Sequence, residues 1–270
     1  MRYIFIGTLL LFFNKVQSQN LDIISSQILE KGFKLYRNEM ASWISTDSLT
    51  QSEKSKIKGY FTYLESKSKK LISVYVDSTE QLAVKRFSFE QASNLEISLI
   101  RVEKNIALTG EEKQILTVRN NAFEIAKFWY QSFGYFEIVN PNIIIYETEP
   151  EYVVYIIPGP FNNNIVPIGG DIYLTYSREG KSKKMEPIHN NIIPFNYQIL
   201  QETIDTGHEH RGKKLGKEFI TPTDICTLLL YKDVFNGEKH TVIHKKYISE
   251  FYFKDPKLVI RPNNEKLRIK

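Results

Sequence analysis

Leu71-Ile72-Ser73-Val74-Tyr75-Val76 and Leu82-Ala83-Val84-Lys85-Arg86-Phe87 are followed, after a polar stretch, by Thr109-Gly110-Glu111-Glu112. The chain changes period between them. The first two runs are rich in β-branched and aromatic residues, and Ser, Asp and Thr separate them, which predicts strands. With Tyr60-Phe61-Thr62-Tyr63 they read as a β-meander over 58–90. Thr109 and Glu112 have the spacing of a capping box. Beyond them Ile115, Val118, Ala122, Ile125 and Trp129 recur at helical spacing, and Gly134 is placed to end the helix.

Further strands are expected at Ile143–Tyr146, Tyr152–Ile157, Asp171–Tyr176, Ile188–Phe195 and Tyr197 to about His210. The turn-forming run Pro158-Gly159-Pro160-Phe161-Asn162-Asn163-Asn164 follows the second of these. A short helix at 222–231 precedes strands near His240–His244 and Tyr247–Phe253. Upstream, residues 20–57 read as helical, with Gly32 separating two helices. Helices and strands do not alternate regularly, which disfavours a doubly wound parallel sheet. The expected class is α+β, with one long amphipathic helix at about 109–134 and mixed or antiparallel sheets. The expected division is 19–108, helices plus meander, and 109–260, an α+β domain, with 261–270 as a polar tail. A single compact unit is the alternative.

Length and composition bound the function. The chain has 270 residues, 42% hydrophobic and 25% charged, which excludes a disordered chain. Met1-Arg2-Tyr3 followed by Ile4–Phe13 and Val16-Gln17-Ser18 has the layout of a secretory signal cleaved after Ser18. The apolar run is too short for a membrane helix, which needs about 20 residues, and no later segment reaches that length. No cysteine follows the run to carry a lipid anchor. Removing 1–18 lowers the formal charge from +5 to +3, too mild to argue for nucleic acid. A secreted or periplasmic protein is expected. The lone Cys226, inside an apolar helical run, reads as a buried small hydrophobe.

One constellation carries chemistry. His208-Glu209-His210 ends an expected strand, and Asp224 follows in Thr221-Pro222-Thr223-Asp224. Alternate strand residues share a face, about 6–7 Å apart at Cα, so both imidazoles can reach one ion. Asp224 in the first helical turn can supply a third ligand. Two histidines, a carboxylate and a water form a catalytic zinc arrangement. Asp224 also has a reading with no metal, as the acid of a helix cap begun by Thr221 and Pro222. The histidines would then be solvent-exposed.

His208, His210 and Asp224, with Thr221, resemble the JAMM (JAB/MPN) metallopeptidase motif, His-x-His-Pro followed by Ser-x-x-Asp. Thr221 stands for the serine, Arg211 replaces the proline, the gap is about two residues longer, and the upstream glutamate has no assigned place. The resemblance implies zinc, peptide hydrolysis and a role for Thr221 beside the developing oxyanion. On the Thr223–Tyr231 stretch, Thr-Asp-Ile-Cys-Thr-Leu-Leu-Leu-Tyr, the chain as a whole is similar to a group of secreted bacterial proteins, a likeness that brings no activity.

The general base stays open among Glu147, Glu149, Glu151 and Asp171. Glu202, six strand residues before His208, would lie roughly 20 Å away. Glu209 points to the opposite face. His189 reads as a strand entry. His240 and His244, four strand residues and about 13 Å apart, cannot share an ion. Gly169-Gly170 reads as a bulge or turn, and Arg211-Gly212-Lys213-Lys214 as a solvated turn. The expectation is a secreted zinc-dependent hydrolase acting on a protein or peptide. The alternative is a non-catalytic envelope or secreted binding protein with a structural metal or none.

Overall fold

The computed structural model describes residues 2–92, 95–132, 134, 140–159, 164–204, 206–211 and 217–264, and for 2–19 the backbone alone. The side chains of the signal-like segment, residues 160–163 of the Pro158 turn and residues 212–216 of the basic turn therefore lie outside the described residues. The fold is α+β. Two compact units divide it: Phe33–Asn196, and Met1–Gly32 joined with Tyr197–Lys270.

In the Phe33–Asn196 unit, helix α1 (Arg2–Asp47) contributes its residues from Phe33 on, and the one-turn α2 (Gln51–Lys54) follows. Strands β1 (Ile57–Leu64), β2 (Leu71–Asp77), β3 (Leu82–Gln91) and β4 (Ile97–Ala107) form an antiparallel sheet in chain order. Strand periodicity explains the layering. On β2, Ile72, Val74 and Val76 join one core cluster, and the alternate residues Leu71 and Tyr75 join another. The first cluster contains Ile115, Val118, Ala122 and Ala126 of helix α3 (Gly110–Ser132). The second contains Ala41 of α1. The sheet is thus a middle layer, which is why β2 is buried over six consecutive positions.

The α1 face is partly polar. Ser42, Thr62 and Ser73 form a chain of hydroxyl bonds at 2.8 and 2.7 Å, and Tyr75 donates to the Ser42 carbonyl at 3.0 Å. Helix α3 starts as expected: the Thr109 amide donates to Glu112 at 2.8 Å, and the Glu112 amide donates to the Thr109 hydroxyl at 3.1 Å. Beyond its last residue, Ser132, Gly134 has a φ of +73°, which favours glycine.

The unit continues with β5 (Pro141–Glu147), β6 (Tyr152–Pro158), β7 (Ile165–Gly169), β8 (Ile172–Tyr176), β9 (Ser182–Pro187) and β10 (Ile192–Asn196). The sheet order is β5-β6-β8-β9, with β7 and β10 paired separately.

The other unit holds α1 up to Gly32, helix α4 (Tyr197–Glu202), β11 (Thr206–His210), α5 (Pro222–Leu230), and strands β12 (Lys239–His244), β13 (Tyr247–Tyr252) and β14 (Lys257–Pro262). Strands β11 and β12 pair in parallel, and the remaining pairs are antiparallel. Parallel neighbours need a crossover connection, and the chain between them contains α5. Among the described residues no helix is long and apolar enough to cross a membrane.

The structure corrects several expectations. Gly32 does not divide the helix. A Cβ there would stand 2.6 Å from Cβ and Cγ2 of Ile225, so glycine is needed for close approach of α1 and α5. The meander has a fourth strand, β4, missed because nearly all of it is exposed on both faces and lacks an apolar–polar alternation. Tyr197–Glu202 is the helix α4, and only Leu200 in it is buried. Glu202 therefore has no strand parity with His208. The expected Ile188–Phe195 strand is shortened to β10, and the polar tail begins later than 261, because Arg261 and Pro262 pair in β14.

Two outcomes follow from buried positions. Gly32→Ala should gain about 1 kcal/mol of helix propensity but lose about 1–3 kcal/mol to overpacking. Chemical denaturation should show net destabilisation. Glu39 of α1 is 3% exposed, its Oε2 has no hydrogen-bond partner among the described residues, and burial pushes its carboxyl up to about 8. Below its ordinary value of about 4.5 the carboxyl is protonated in both states. Between about 4.5 and 8 only the folded state keeps the proton. Stability should therefore fall as pH rises through that window, by up to roughly 1.4 kcal/mol per pH unit. Denaturation of Glu39→Gln across the same pH range should show that slope removed.

Candidate functional site

Strand β11 is five residues long, and the period of two puts His208 and His210 on one face. Their Nε2 atoms are 2.9 Å apart. Both side chains are about 5% exposed or less, so the alternative of a solvent-exposed pair does not hold. His210 Nδ1 lies 2.8 Å from the Phe219 carbonyl. A carbonyl only accepts, so His210 carries its proton on Nδ1 and, when neutral, turns an Nε2 lone pair toward His208.

Asp224 reaches the same place from the start of α5. Thr221 is the N-cap, in extended conformation, and Pro222 occupies the first turn. The Asp224 amide donates to the Thr221 hydroxyl at 3.1 Å. Asp224 Oδ2 accepts from the Thr221 amide at 2.9 Å and from its hydroxyl at 2.8 Å. The capping box is therefore present. It does not compete with a ligand role, because it fixes a carboxylate that is 1% exposed and faces the imidazoles. His210 Nε2 is 3.6 Å from Oδ2, and His208 Nε2 is 3.9 Å from Oδ1. The Ile220 amide donates to Ser249 of β13 at 3.2 Å, which holds the segment ahead of the cap to the sheet.

The ligand atoms of His208, His210 and Asp224 lie within 4.8 Å of one another. Zinc bonded at 2.0–2.2 Å in a tetrahedron separates its ligand atoms by roughly 3.3–3.5 Å. The two imidazole nitrogens, 2.9 Å apart, stand closer than that, and the 3.6 and 3.9 Å spacings, which end on different Asp224 oxygens, are wider.

A third histidine belongs to this cluster. His240 is fully buried, with Nε2 2.9 Å from His208 Nδ1 and Nδ1 3.0 Å from the Thr206 hydroxyl. Burial, and then the neighbouring His208, push its imidazole down to about 3, so it is neutral near neutral pH. Sequence reasoning weighed His240 only against His244. The signal that finds it is the parallel register, in which Thr206 pairs with His240 and His208 with Val242. His244 instead accepts from the Lys246 amide at 3.1 Å.

The remaining candidates have partners of their own. Glu209 is exposed on the opposite face of β11 and bonds Arg211 at 2.9 Å. Glu147 pairs with Lys34 at 3.4 Å, Glu151 with Lys183 at 2.7 Å, and Asp171 with His189 at 2.6 Å. These three and Glu149 belong to the Phe33–Asn196 unit. Among the described residues, Asp224 supplies the only carboxylate of the metal-ligand cluster. The Thr221 hydroxyl donates to Asp224, so its proton is committed to orienting the carboxylate. Cys226 is buried in α5, as expected.

No known family description, curated protein or solved structure matches this chain.

Thr221→Ala should lose about 1 kcal/mol of cap stability, read as a lower denaturation midpoint. A substitution at exposed Glu209 should leave the midpoint unchanged.

Proposed function

We propose that this is an exported metal-binding protein whose His208, His210 and Asp224 hold one zinc ion, and that the site hydrolyses an amide bond in a peptide or protein. The observation that carries the reading is the gathering of ligand atoms of His208, His210 and Asp224 within 4.8 Å of one another, together with the Phe219 carbonyl, which leaves a neutral His210 ring its lone pair on Nε2. A bound zinc would polarise the substrate carbonyl and bring a bound water to a pKa of about 7. The chain's own residues do the positioning. Thr221 fixes the Asp224 carboxylate through the helix cap, and Phe219 fixes the His210 ring. The buried setting strengthens every electrostatic contact made there. The JAMM-like spacing of the motif supports the same reading. No residue is assigned as general base.

A second reading has its own observation. The imidazole contacts at 2.9 Å are ordinary hydrogen-bond distances. The histidines then serve as a satisfied polar core, and the protein is a non-catalytic secreted or envelope binding protein.

Elemental analysis of the purified chain after zinc-replete, chelator-free preparation separates the two. About one equivalent of zinc is expected, lost in His210→Ala and kept in Glu209→Ala. Absence of zinc from the unsubstituted chain would overturn the first reading. With zinc present, peptide and isopeptide substrates should be cleaved by the unsubstituted chain and not by His208→Ala.

A further inference from the structure

We infer that His240 and Thr206 form a reversible proton relay behind His208, which sets the nitrogen carrying the His208 proton and turns round when a divalent metal binds. The inference rests on the metal-site reading above and adds two positioning residues to it.

Phe219 fixes one end of the relay. Phe219 offers only a carbonyl, so His210 donates from Nδ1 and keeps a lone pair on Nε2. Without a metal, the 2.9 Å approach of His208 Nε2 to that lone pair requires the His208 proton on Nε2. A neutral His208 then has a lone pair on Nδ1, so His240 Nε2, 2.9 Å away, must donate. Neutral His240 accepts at Nδ1, and the Thr206 hydroxyl, at 3.0 Å, donates. Every bond has one donor and one acceptor. The chain of donors runs in one direction from Thr206 to the Phe219 carbonyl.

A metal at the His208 and His210 Nε2 atoms reverses the outer half of this chain. His208 then carries its proton on Nδ1 and donates to His240 Nε2. His240 carries its proton on Nδ1 and donates to Thr206, whose hydroxyl oxygen accepts equally well. Each ring keeps one proton and Thr206 keeps its hydroxyl hydrogen, so the proton count and charge of the relay do not change. A carbonyl in the place of His240 would hold His208 in the metal-ready form permanently, as Phe219 does for His210. An imidazole backed by a hydroxyl satisfies both forms. The buried His208 nitrogen is therefore hydrogen-bonded with or without the ion, and neither state leaves an unmade bond, which would cost about 1–3 kcal/mol. Metal-bound histidines generally donate their second nitrogen to such a partner, and its loss weakens binding.

The test is the tautomeric state of each ring in the full chain labelled with 15N-histidine, read by two-bond proton–nitrogen correlation, alone and with one equivalent of zinc ion. His210 should hold its proton on Nδ1 in the absence of metal and with zinc. His208 and His240 should move theirs from Nε2 to Nδ1 on adding zinc. His240→Phe should weaken zinc binding roughly 10–100-fold, and His240→Gln should recover most of it, because an amide can present either oxygen or nitrogen to His208. Zinc binding with unchanged His208 and His240 tautomers would overturn the relay while leaving the metal site standing, and so would His240→Phe with unaltered affinity. No zinc binding by the unsubstituted chain would overturn the metal-site reading and the relay with it. If His240→Phe does not fold, the tautomers of the unsubstituted chain decide alone.

Discussion

Strand β11 lies parallel to β12, and the local arrangement of the candidate site depends on that pairing. An antiparallel partner could follow after a tight turn. A parallel one requires the chain to cross back over the sheet, and the crossover carries α5. The start of that helix therefore comes to the strand that holds the two histidines, and Asp224 comes with it. The same pairing puts His240 on the adjacent strand, beside His208. Three imidazoles and a carboxylate thus meet through one topological requirement, although they are spread from 208 to 240 in the sequence.

The chemistry of the cluster is governed by burial. Isolated buried imidazoles and carboxylates are costly unless paired, and each of these groups has a defined bond: His210 to the Phe219 carbonyl, His240 to Thr206, Asp224 to the cap. Glu39, in the other unit, has no such cap. Its carboxyl is buried with an oxygen that no described group satisfies, and the proton it retains is the least costly answer to that position. Secondary structure accounts for much of the difference. A helix terminus and a strand end both expose unpaired backbone groups that side chains can use, whereas Glu39 sits mid-helix, where the backbone amides are already paired.

The fold was most legible where local signals and packing agree. The α3 capping box and apolar stripe predicted both the start of the helix and its buried face, because the same residues cap, propagate and pack. Asp224 was legible as the acid of a helix cap, and the cap holds its carboxylate beside His208 and His210. Legibility failed where tertiary context overrides local pattern. Gly32 carries the composition of a break but serves helix contact. Tyr197–Glu202 alternates apolar and polar residues in part, yet folds as a helix that buries only Leu200. His240 could not be joined to His208 without knowing which strands pair and in what register, information that no single strand contains. Glycine at 207, between Thr206 and His208, belongs to the same class: a Cβ there would meet the Thr241 carbonyl at 2.4 Å, a demand set entirely by the neighbouring strand.

Strand β4 has a different character. Its Leu99, Ile100 and Val102 are each more than 40% exposed, and its inter-strand pairing is with β3 alone. Beyond the ladder, half-buried Ile97 and Ile106 pack against the cores, and the exposed Arg101 pairs with Glu103 at 2.7 Å in a surface contact worth little. Such a strand opens at a small fraction of the global unfolding free energy. Its amides should be among the first in the sheet to exchange with solvent. Its charged residues, Arg101, Glu103 and Lys104, interrupt the apolar ones and discourage a second molecule from pairing with the exposed edge during those openings.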